Sequence, residues 1–135
     1  MNYLIDTHYL IWSLFDPDKI GISDRKILAD PHATKFVSKV SYWEIAIKFS
    51  LGKLQLKGIT PEELLPSAQK AGYAIYDISA EDLLSSYRLP RSKAHRDPFD
   101  RLLVWQCIRN NLVFMSSDSK VSEYAKHGLW LATAT

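Results

Sequence analysis

The sequence predicts an α/β fold, a three-layer α/β/α sandwich around a central, mostly parallel sheet of about four or five strands. Short apolar runs alternate with helical segments from one end of the chain to the other. Those runs are continuous rather than alternating apolar and polar, as expected of strands covered on both faces. The 135 residues, 47% of them hydrophobic, are enough to bury a real core and fit one domain, residues 1–135.

Residues 2–6 read as a buried strand, and Thr7 to Phe15 as an apolar helix stopped near Asp16-Pro17, because proline disfavours helical geometry in the residue before it. Ser23 and Asp24 are cap candidates for a second helix running to about Ala29, closed by Asp30-Pro31, and residues 35–38 form a short strand. Ser41 with Glu44 three residues on reads as a capping box, giving a helix from Tyr42 to Leu51 that ends at Gly52. Thr60-Pro61-Glu62-Glu63 repeats that start signal, and Gly72 closes the segment before a strand over 73–78. Ser79 with Asp82 opens a helix to about Tyr87, broken at Leu89-Pro90. A basic loop over 91–96 leads through Asp97-Pro98 into the most apolar helix, Phe99 to Ile108. A strand over 112–116, a helix from Lys120 to Lys126 and a last strand over 129–131 complete the chain.

Composition bounds the partners. Seventeen basic and fifteen acidic residues give a net charge of +2, which permits a nucleic-acid partner only where the charge is clustered. The single cysteine, Cys107, lies in an apolar stretch and fits a packing role in a reducing compartment, so the cytoplasm is the expected location. Apolar runs fall short of the roughly 18 residues of a spanning helix, and no membrane association is expected.

Four carboxylates, Asp6, Glu44, Asp100 and Asp118, fall where right-handed crossovers place one rim of the sheet. Each of three has a plain alternative: Asp118 as a helix cap, Glu44 as the return partner of Ser41, and Asp100 as an acid favoured by the helix dipole. Asp6 ends an apolar strand with Thr7 as the better cap, so its carboxylate asks for a cation. Like charges about 4 Å apart repel by about 4 kcal/mol at an effective dielectric near 20, so a cluster of four must protonate, spread or bind metal. Oxygen ligands select a hard ion, Mg²⁺ or Mn²⁺, and the chemistry such an ion supports is phosphodiester hydrolysis. Asp97 shares a helix face with Asp100 and is a possible third ligand, with Asp100 favoured because Asp97 before Pro98 suits an N-cap.

The strings LIDTH at 4–8, SYWEIAIK at 41–48, HRDPFDRLLVWQ at 95–106 and FMSSD at 114–118 resemble the four motifs of PIN-domain nucleases, in particular VapC-type toxins of toxin–antitoxin pairs. The resemblance spans nearly the whole chain. It implies an acidic quartet of Asp6, Glu44, Asp100 and Asp118, with Asp6 and Asp100 the strongest metal ligands and Thr7 and Ser116 in the hydroxyl positions. It also implies an endoribonuclease dependent on Mg²⁺ or Mn²⁺, a homodimer, and inhibition by a VapB-like antitoxin. The fourth motif departs from the family, reading Ser-Ser-Asp-Ser where relatives often carry threonine and an acidic or arginine neighbour.

Arg88, Arg91, Lys93, Arg96 and Arg101 lead into the Asp100 helix and form a candidate RNA path, with Arg91, Arg96 and Arg101 the expected phosphate contacts. The alternative is a solvated loop. His95 reads as a surface residue sooner than as an RNA contact or proton-transfer group, and Trp12 and Trp105 as core or oligomer surface, with Trp12 or Trp43 stacking on single-stranded RNA the alternative. A phosphoryl-accepting receiver-like signalling domain also carries acids at a sheet edge, and a PIN nuclease of RNA processing would need no antitoxin. Metal-dependent cleavage of RNA separates the first of these from a nuclease.

Overall fold

The computed structural model describes residues 1–132. Its centre is a parallel sheet in the order β3-β2-β1-β4-β5, made of β1 (Asn2–Ile5), β2 (Thr34–Ser38), β3 (Tyr73–Tyr76), β4 (Val113–Met115) and β5 (Trp130–Leu131). β1 lies in the middle, with Leu4 and Ile5 opposite Phe114 and Met115 of β4, and Leu4 opposite Phe36 of β2.

Successive strand residues point to opposite faces, and this alternation divides the core in two. Leu4 and Phe114 pack with Leu103, Val104 and Cys107 on one face. Ile5 and Met115 pack with Leu10, Ile45, Leu64 and Ala68 on the other. The helices follow: α1 (Thr7–Phe15), α2 (Ile22–Ala29), α3 (Lys39–Ser50), α4 (Pro61–Lys70), α5 (Ala80–Ser85) and α6 (Pro98–Asn110). α6 covers the first face; α1, α3 and α4 cover the second. This is the three-layer arrangement expected from the continuous apolar strands. Among the described residues no helix is long and apolar enough to cross a membrane.

Local chemistry explains most helix ends. Thr60 and Glu63 make the reciprocal capping box at the start of α4. Asp97 caps α6, its Oδ1 accepting from Phe99 N at 2.8 Å and Asp100 N at 3.1 Å, with Pro98 at the first helical position. Asn111 ends α6 in the left-handed conformation.

Three boundaries differ from expectation. α3 starts at Lys39 with Ser38, not Ser41, as its cap, because Ser38 Oγ accepts from Val40 N. α2 starts at Ile22 without a side-chain cap; Asp24, far from capping, is buried and accepts a 2.6 Å hydrogen bond from the Tyr9 hydroxyl. The segment after β4 is a 3₁₀ helix, Ser119–His127.

Candidate metal centre

β1 and β4 are neighbours, yet the chain leaves β1 toward β2 and reaches β4 only after crossing back. Between them lies the point where strand order reverses, the crevice in which open α/β sheets bind ligands. Asp6 follows β1 directly and Ser116 follows β4 directly, so both stand at the carboxyl ends of the two strands.

Asp6 is buried and held at every polar atom. Its N–H donates to Met115 O at 3.0 Å, its Oδ1 accepts from Tyr9 N at 2.7 Å, and its Oδ2 accepts from Ser116 Oγ at 2.6 Å. Asp6, and not Thr7, therefore caps α1, and it does so while presenting its carboxylate to the crevice. Burial raises its pKa above the usual carboxylate value; the bonds from Ser116 and Tyr9 oppose that rise and the charge of Glu44 adds to it.

With Asp6 in the cap, the Thr7 hydroxyl is free for another task. It donates to Glu44 Oε1 at 2.6 Å and lies 2.9 Å from Ser41 Oγ. Because α3 begins earlier than the capping-box reading requires, Glu44 sits in its second turn, 1% exposed, and is not a return partner for Ser41. Its Oε2 pairs with the Lys48 ammonium one turn on. A carboxylate this deep costs several kcal/mol without partners, and Thr7 and Lys48 supply them. Burial alone would lower the Lys48 pKa, but Glu44, followed by Asp97 and Asp100, raises it.

Asp100, in the first turn of α6, is the least compensated acid. It titrates near 7 instead of 3.8, driven up by burial first and then by the charges of Asp97, Glu44 and Asp6, against which Lys48 acts. A donor atom of Asp100 lies within 4.8 Å of donor atoms of both Glu44 and Asp97. Asp97 has committed Oδ1 to its cap and holds Oδ2 3.9 Å from Lys48.

Asp118 caps the 3₁₀ helix through Oδ1, which accepts from Lys120 N at 2.9 Å. Ser116 Oγ, besides donating to Asp6, accepts from Asp118 N at 3.0 Å and so ties the two motifs together. Asp6, Asp100, Ser116 and Asp118 line one cleft of about 270 Å³, with His8 and Lys120 at its edge. Glu44 joins it through its closeness to Asp100.

His95 departs from its expected surface position. It is 3% exposed, stacked edge-on against Tyr124 with its Nδ1 3.0 Å from the phenol oxygen. Burial lowers its pKa, the charge of Asp118 opposing and that of Arg101 assisting. Its place depends on Tyr124, 29 residues later, a partner no local pattern announces.

The basic loop borders a second cavity of about 500 Å³ lined by Arg91, Lys93, His95, Arg96 and Arg101. Arg91 and Arg96 are exposed. Arg101 is spent on the loop itself: its guanidinium donates to Leu89 O at 2.8 Å, Pro90 O at 3.0 Å and Tyr124 Oη at 3.0 Å. Trp43 is exposed and meets Phe99 edge to face at 5.5 Å.

The donors fit a hard divalent cation. They are carboxylate oxygens, crowded enough to hold Asp100 near 7, and the ammonium beside them, Lys48, is bound to Glu44.

An acid cleft at the switch point of a parallel sheet defines the class as an α/β protein whose acidic clusters could hold a cation. The PIN domain family model matches residues 3–127, and the chain belongs to the PIN-domain family. Similar solved structures include VapBC2 from Rickettsia felis bound to a DNA fragment from its promoter, with 16% identity, a TM-score of 0.65 and 97% of each chain covered. VapBC-1 from nontypeable Haemophilus influenzae shares 17% identity at a TM-score of 0.61 over 96% of each chain. DNA-bound VapBC from Salmonella typhimurium shares 14% identity at a TM-score of 0.66, covering 97% of this chain and 96% of that one. At such identities the likeness is one of fold. No match to the chain was found among curated protein sequences.

Proposed function

We propose that this PIN domain is an endoribonuclease dependent on Mg²⁺ or Mn²⁺, the toxin of a VapC-type pair, acting as a homodimer and restrained by a VapB-like antitoxin. The observation that carries the reading is the meeting of Asp6, Asp100 and Asp118 in one cleft, with Glu44 buried behind Asp100. The resemblance of the four motifs and the fold shared with VapBC complexes support the toxin assignment.

Asp6 and Asp100 are the principal ligands in this reading, with Asp118 and Glu44 completing the acidic set and Asp97 at its margin. Ser116 and the Tyr9 N–H fix the Asp6 carboxylate, so its orientation is set before any ligand arrives. Thr7 and Lys48 bind the two oxygens of the buried Glu44 carboxylate and fix it beside Asp100. When bound, a divalent ion supplies Lewis acidity, lowering the pKa of water for attack on phosphorus and neutralising charge on the phosphate. Arg91 and Arg96 draw the RNA backbone toward the cleft, and Arg101 positions the loop that carries them.

The test is incubation of the purified chain with labelled single-stranded RNA and Mg²⁺, with and without EDTA, beside Asp6→Asn. Cleavage that needs the ion and falls at least about 100-fold in the variant supports the proposal, on the scale of losing one electrostatic contributor. Uncut RNA, or phosphorylation of an Asp by a small phosphodonor, refutes it in favour of a receiver-like domain. Co-purification with a short protein encoded next to this chain tests the antitoxin.

A further inference from the structure

The Nε2 atom of His95 is buried and, among the described residues, has no hydrogen-bond partner. It faces Asp118 Oδ2 at 3.6 Å and Asp100 Oδ2 at 3.9 Å, both beyond the range of a direct N–H···O bond. The other ring nitrogen is held by Tyr124, whose phenol oxygen also accepts from Arg101. In the tautomer that donates Nδ1–H to that oxygen, the Nε2 lone pair points at two carboxylates, and a cation bound between them would favour that tautomer over the one in which the phenol donates to Nδ1. A metal-ligating histidine usually has its other ring nitrogen held by an outer partner, as Tyr124 holds His95 here.

We infer that His95, Asp100 and Asp118 form a nitrogen-containing cation position, on the basic-loop side of the cleft, that takes a transition-metal ion of the Mn²⁺, Co²⁺ or Zn²⁺ class in preference to Mg²⁺. The inference rests on the reading of the cleft as a cation site and adds a ligand and a preference to it. The three donor atoms lie within 4.8 Å of one another. Donors about 2.1 Å from a shared ion, at tetrahedral or octahedral angles, sit about 3.0–3.4 Å apart, so the histidine contacts close by about half an ångström. Among the described residues the Asp118 Oδ2 and both Asp100 oxygens accept no hydrogen bond, and the helix cap uses Asp118 Oδ1, so those oxygens are available to a cation. Imidazole beside carboxylate suits Mn²⁺, Co²⁺ and Zn²⁺, whereas Mg²⁺ keeps to oxygen. Asp100 stands in both acid groups, with Glu44 and Asp97 on one side and His95 and Asp118 on the other.

The exposed histidines, His8, His32 and His127, are replaced by Gln in the untagged full chain, leaving His95 as its one histidine. Metal-stripped protein is loaded with Mn²⁺ and read by electron spin-echo spectroscopy. Modulation from an imidazole nitrogen is expected, and it disappears on adding His95→Gln. In competition titrations His95→Gln lowers Zn²⁺ affinity by about tenfold or more and Mg²⁺ affinity by less than about twofold. Bound Mn²⁺ without imidazole modulation in the chain retaining only His95 overturns the inference and leaves the acid cleft intact as a metal site. Failure of the unsubstituted chain to bind Mn²⁺, Zn²⁺ or Mg²⁺ overturns it together with the proposed function.

Discussion

Replacing Asp100 by Asn should stabilise the metal-free protein, by an amount that grows from nothing near pH 4 to its full value at about pH 7 and above. The folded chain holds a proton on Asp100 up to about pH 7, whereas the unfolded chain releases it near 3.8. Between those values the native state binds more protons than the unfolded state, so stability falls as pH rises across the interval and levels off above it. The full displacement corresponds to about 4 kcal/mol at about 1.4 kcal/mol per tenfold. Solvent reaches 29% of the side chain, and screening reduces the working figure to about 2 kcal/mol. For a chain of this length that is a melting-temperature gain of roughly 6–10 °C for Asp100→Asn at pH 8, shrinking to nothing near pH 4. The measurement is thermal unfolding by circular dichroism in EDTA at several pH values. Added Mg²⁺ should stabilise the unsubstituted chain at pH 8 and the variant far less, because only the former gains a ligand it lacked a counter-charge for. A variant that melts at or below the parent temperature at pH 8 would show that the acids do not crowd one another.

Four further outcomes follow from the same geometry. Thr7→Val removes the hydroxyl that donates to Glu44 and should cost about 1.5–3 kcal/mol in urea unfolding, since the bond is to a charged group. Lys48→Met leaves the Glu44 carboxylate, 1% exposed, without its counter-ion; a loss of about 2–4 kcal/mol is expected in the same urea measurement. Leu103→Ala opens a cavity beneath α6 at a fully buried position and should cost about 2–5 kcal/mol, read from the same urea curves. Arg91→Ala with Arg96→Ala should leave the fold unchanged and lower the slope of log affinity for single-stranded RNA against log salt by about 1.4.

What could be read from the residues alone was whatever is decided locally. The α4 capping box and the Asp97-Pro98 start of α6 involve only neighbours in sequence, and both appear as expected. The continuous apolar strands sufficed for the layers and the parallel sheet. Ser38 and Ser41 are three residues apart and either could cap α3; the choice fell to Ser38 because β2 ends there in register with β3, Ser38 opposite Tyr76. That shift moved Glu44 from a helix start to a buried second turn and turned a supposed capping acid into a partner of Thr7. Likewise Asp6 wins the cap from Thr7 only because Thr7 finds a carboxylate 37 residues away. The convergence of the acids was visible as a topological expectation, but the burial of His95 and the capture of Arg101 by Leu89, Pro90 and Tyr124 were not, since both depend on distant chain.

The sheet order has a consequence for how the protein is made. β1 is central, and β4, the strand that completes its crevice, comes after β2 and β3 in the chain; Asp6 and the Ser116 that orients it are 110 residues apart. Pairings of such long separation form late in folding. A chain whose synthesis has not yet passed β4 therefore carries its acids apart, and the cleft forms only once β4 can pair with β1.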